Sequence, residues 1–79
     1  MNTEKKLLKE ADSRVLDAVK VLANAKSNLD EAQTILIMNL SYHFQQIYGE
    51  DLTQINGEIT QAINSLNELA KKIRTQLKQ

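Results

Sequence analysis

This chain of 79 residues has no cysteine, no proline and no tryptophan, and only two glycines. The lack of cysteine excludes a disulfide staple, a thiolate zinc site and a thiol nucleophile. Without proline, and with both glycines beyond residue 48, nothing breaks a helix in the first half of the chain. Aromatics are scarce at 4%, so a core must be built from Leu, Ile, Val and Ala. An excess of one charge is also missing: ten basic and ten acidic side chains cancel. That balance removes any general attraction to nucleic acid or to an anionic membrane. The opening MNTEKKLLKEADSR has lysines but no apolar run, unlike a signal peptide.

Charge is also missing locally. From Ala32 to Gly49 there is no Asp, Glu, Lys or Arg, and this window holds Tyr42, Phe44, Tyr48 and the single histidine, His43. Its length prompts a membrane check. Gln33, Thr34, Asn39, Ser41, His43, Gln45 and Gln46 are too many polar groups for hydrocarbon, so no membrane span is expected.

What is present is a helical period. Leu8, Val15, Leu22, Leu29 and Leu36 recur every seventh residue, and Ala11, Ala18, Ala25 and Ala32 recur between them. The opposite face is polar, with Met38 the exception. This is an amphipathic helix of coiled-coil period, and its alanines let a neighbouring helix approach closely. The frame fails past residue 47 and restarts at Leu52, running through Ile55, Ile59, Ala62, Leu66, Leu69 and Ile73, with Ile63, Ala70 and Leu77 widening the stripe. Gly49, with Asp51 and Gln54 as a capping pair, marks the break.

The expectation is a single all-α domain over 1–79: an antiparallel helical hairpin with a helix over about 3–47, a turn near 48–51 and a helix over about 51–78. A three-helix bundle broken near Ser27-Asn28 is the alternative. In the hairpin, arms of about 65 and 42 Å leave Leu7, Leu8, Ala11, Val15, Leu16, Ala18 and Val19 without a partner in the chain. That exposed stripe, and the small core of a two-helix unit, call for association into a four-helix bundle dimer or a hetero-complex.

Chemistry is sparse. A histidine-based triad needs His43 as the base, and no matched Ser and Asp accompany it. Nor is there a Glu-x-x-His pair of the di-iron type. His43 reads as a partly buried structural residue, and no catalytic, cofactor or metal site is expected. Asn39, at a seam position, is a candidate for fixing helix register. Lys71, Lys72, Arg74 and Lys78 could contact RNA or DNA, but cations in the last turns of a helix are expected anyway.

Apolar breadth around residues 35–44 is the stronger signal, because one partner helix cannot cover a helix that is apolar on every side. The expected partner-binding set is Leu7, Leu8, Val15, Leu16, Val19, Ile35, Ile37, Met38, Leu40, Tyr42 and Phe44. These residues suit a small cytoplasmic, non-catalytic module that binds itself or another helical protein. Such a module could be a bundle subunit, a partner or chaperone of a larger secreted protein, or an immunity-type binder. The hairpin outline resembles the small leaderless partners of bacterial secretion systems, which implies such a secretion partner. It lacks the Trp-x-Gly turn of their WXG type, reading Tyr48-Gly49-Glu50 instead, and the tail KKIRTQLKQ lacks a Tyr-x-x-x-Asp/Glu signal.

Overall fold

A computed structural model describes residues 2–39 and 42–79. It contains two helices, α1 (Asn2–Asn39, 38 residues) and α2 (Tyr42–Lys78, 37 residues), packed against each other as a hairpin. The Cα trace measures 60 × 14 × 13 Å, a straight rod two helices wide. Leu, Ala and Lys are the commonest residues of α1, and Gln, Ile and Leu those of α2, so composition and the heptad pattern agree on helix. Threonines inside the helices return their hydroxyls to the backbone four residues earlier, as Thr60 Oγ1 does to the Asn56 carbonyl at 3.0 Å.

The all-α hairpin is as expected, but its turn lies between Asn39 and Tyr42, not near 48–51. Gly49 and Asp51 are inside α2, and no described glycine has positive φ. The helix is also continuous through Ser27-Asn28, which removes the three-helix alternative. The phase explains the misplaced turn. The buried column of α2 runs back from Leu52 through Gly49 and Gln45, residues without the aliphatic signature of a seam. The frame shift was therefore visible in sequence only where aliphatics resume.

Because the arms are equal, the expected overhang disappears. Leu8, Val15, Leu16, Ala18 and Val19 are half-buried against α2, while Leu7 and Ala11 remain exposed. Two cross-links fix the register. Arg74 Nε lies 3.3 Å from Asp12 Oδ1, and Asn56 Nδ2 donates to Asp30 Oδ1 at 2.7 Å. Both helices advance eighteen residues between these links, from 12 to 30 and from 74 back to 56. That is about five turns, or ~27 Å, so both links fall on the same edge of the rod.

In heptad letters abcdefg, α1 presents Asp12, Val19, Lys26 and Gln33 at a, with Leu8, Val15, Leu22, Leu29 and Leu36 at d. On α2, Gly49, Asn56, Ile63, Ala70 and Leu77 occupy a, with Gln45, Leu52, Ile59, Leu66 and Ile73 at d. The register sets a of one helix level with d of the other. Large and small thereby meet: Leu36 is level with Gly49, and Val15 with Ala70. Ile55 and Leu69, expected on the α2 seam, are 43% and 45% exposed; the expected Ile63, Ala70 and Leu77 hold that side of the seam, joined by Asn56.

Candidate interaction face

The seam buries little. Ala70, 2% exposed, is the one fully buried hydrophobic residue among those described. Most of the remaining apolar surface divides between the two long edges of the rod and the turn end.

In an antiparallel pair the e positions of both helices share one edge and the g positions share the other. The e edge carries the two cross-links, with Leu16 among Asn67, Ala70 and Arg74 in a shallow groove. Nearer the turn, Gln33, Leu36 and Ile37 face Gln45, Gly49 and Leu52 across an open groove, bridged where Gln45 Nε2 donates to the Ile37 carbonyl at 2.8 Å. Asp12 Oδ1 and Asn56 Oδ1 are buried without a hydrogen bond, although the Asp12 atom has its ion pair with Arg74.

The g edge is different. Ala11, Ala18, Ala25 and Ala32 of α1 lie beside Tyr48, Ile55, Ala62 and Leu69 of α2. Leu7, Val21 and Ile35, at c on α1, extend the strip outward, and all three are more than half exposed. The g rows from Ala11 to Ala32 and from Tyr48 to Leu69 carry no charge, while Arg14 shares the c row with Leu7 and Val21. Apolar strips of this extent are uncommon on monomers.

The expected partner-binding residues separate accordingly. Leu7 and Ile35 lie on the exposed strip; Leu8, Val15 and Val19 belong to the hairpin's own seam, and Leu16 to the e edge. At the turn end Met38 (77% exposed) and Tyr42 (73%) point outward, and Ile37 lies on the e edge. Leu40 and the side chain of Phe44 lie outside the described residues. Val21, Tyr48, Ile55 and Leu69 were missed. Leu7, Val21 and Ile35 recur every fourteen residues, a signal available in the sequence but weak beside the leucine column.

Other expected sites also move. His43 is exposed at the start of α2, not partly buried. Asn39 Nδ2 donates to the Ile35 carbonyl of its own helix at 2.9 Å, so the inter-helix polar link belongs to Asn56 instead. In the basic tail, Lys71 pairs with Glu68 at 3.8 Å and Arg74 with Asp12, so two of the four cations there already have carboxylate partners. Among the described residues no three His, Asp or Glu side chains converge on a metal-sized site, and no helix is long and apolar enough to cross a membrane. No protein-family model matches the chain, and neither does any curated protein or solved structure.

Proposed function

We propose that this chain is a small, non-catalytic protein–protein interaction module that works by laying its g-edge strip on another helical surface. The observation that supports this is the contrast between one fully buried residue among those described and the exposed Leu7, Val21, Ile35, Ile55 and Leu69 along one edge. A two-helix unit of this size has a small core that association would enlarge, and apolar strips of this kind find partners. The module acts as a bundle subunit or as the cytoplasmic partner of a larger protein, including one destined for secretion. The arrangement suits helix-on-helix recognition, in which anchors spaced along one face seat between the residues of a partner.

Photo-crosslinking in the producing cells tests this reading. A crosslinking amino acid at Val21 or Ile55 is expected to give protein adducts, and one at Gln61 or Thr75, on the polar outer side of α2, is not. Equal yields from both sets, or none from Val21 and Ile55, would overturn it.

A further inference from the structure

The zero net charge of the sequence conceals a strong separation in the fold. The reversal between Asn39 and Tyr42 gathers the described residues of 21–64 into the turn half of the rod. Lys26 is the one cation there, against Asp30, Glu31, Glu50, Asp51 and Glu58, a formal charge of −4. The other nine cations and five carboxylates share the open half, a formal charge of +4. The rod is therefore bipolar, with the g-edge strip running between the two ends.

We propose that the partner on the g edge is a second copy of this chain, laid face to face with its turn beside the first copy's open end. This inference rests on the interaction-module reading and names its occupant. Helix axes packed across such a face lie about 10 Å apart, and the long side chains that flank them reach within the Debye length of about 8 Å at physiological salt. Two rods laid with turns together stack like charge on like; reversed, each acidic half meets a basic half.

The edges of the strip agree with the reversed arrangement. The cross-links place Val21 level with Ser65, near the middle of the rod. A two-fold axis at that level, perpendicular to the helices, sets Glu58 of one copy beside Lys72 of the second, and Arg14 beside Glu31. The parallel arrangement would instead set Lys72 beside Arg14, and Glu58 beside Glu31. The alanine row has the same symmetry. Spaced by seven around Val21, it brings Ala11 opposite Ala32 and Ala18 opposite Ala25, so α1 and its copy can approach closely. Ile55, Leu69 and Tyr48 fill the wider gap between the α2 helices. Such an interface is isologous and self-complementary. From Leu7 to Ile35 the strip is about 42 Å long and two helices, about 20 Å, wide. That is roughly the 800 Å² each partner contributes to a standard stable interface.

The experiment combines mass with orientation. Light scattering of the intact chain at about 100 µM is expected to give twice the 9.0 kDa chain mass, falling on dilution by mass action. The chain has no cysteine, so Met38→Cys, at an exposed position, takes a single spin label. The reversed dimer puts the two labels about 50 Å apart, whereas rods with turns together bring them within about 20 Å. Lys72→Glu is expected to weaken the dimer on the order of tenfold, and adding Glu58→Lys to recover most of the loss. A 9.0 kDa species at that concentration overturns self-pairing, and a short label distance overturns the charge-directed orientation. If the chain stays monomeric while Val21 crosslinks to a different protein, self-pairing fails and the module reading stands.

Discussion

The two edges of this hairpin are built from the same pair of helices yet do opposite things. The e edge holds the polar links, Asp12 with Arg74 and Asp30 with Asn56, and these define how the helices slide relative to each other. The g edge sets the alanines of α1 beside Ile55, Ala62 and Leu69 of α2. Polar links contribute little net stability, because desolvation offsets most of what they gain, but a shifted register would leave them unsatisfied. Apolar strips specify no register and supply burial once they are covered. One edge therefore determines the hairpin's geometry, and the other offers what the hairpin lacks, a larger core.

Substitutions can break that comparison at different points. The largest effect is expected beneath both edges, at Ala70. Ala70→Asp puts a carboxylate into the one fully buried position and should cost at least ~3 kcal/mol, enough to unfold the chain. Circular dichroism in a urea titration would show it, and an unchanged midpoint would mean that Ala70 is not in the core. On the e edge, Asp30→Ala removes the acceptor of Asn56 Nδ2 and is expected to cost about 1–2 kcal/mol. Asn56→Leu should do the reverse, gaining stability while loosening register. Disulfide trapping between cysteine pairs placed in two alternative registers would read that loosening.

On the g edge, Ala25→Gln should leave the helical signal intact and act on association. A fall in sedimentation mass with helicity kept is the expected pattern, and a parallel loss of helicity would place Ala25 in the hairpin's own core. Gly57→Ala is the mildest positive change. The position is exposed, and an added Cβ meets nothing within 4 Å, so the helix should gain about 0.8 kcal/mol. Smallest of all is Lys71→Ala: its pair with Glu68 is largely solvated, and the change should stay within about 0.5 kcal/mol.

Much of the fold was legible in the residues. The leucine column on α1, and the return of aliphatics from Leu52 onward, specify two amphipathic helices and hence a hairpin. The turn was misplaced because its nearest seam residues, Gln45 and Gly49, carry no hydrophobic signal, while Gly49-Glu50-Asp51 imitates a cap. Part of the α2 seam was misassigned for a related reason. Ile55 and Leu69 are more apolar than Asn56, and only a fixed register shows that Asn56 faces α1 beside Ile63, Ala70 and Leu77, which the stripe already included. The misplaced turn, in its turn, created an overhang and drew attention to Leu8, Val15 and Val19, which the equal arms cover. Leu7 and Ile35 survive in the candidate face because outward positions on α1 do not depend on where the chain reverses.

The sequence alone thus determined the helical class, the absence of thiol chemistry, the heptad period and the alanine row, all of which depend on residue type and near-neighbour spacing. Only the tertiary structure decided where the chain turns, which side of α2 is the seam, and that a chain of zero net charge becomes a bipolar rod. Those facts depend on which distant residues become level with one another, and Asp12 and Arg74 are neighbours only once the chain has folded back.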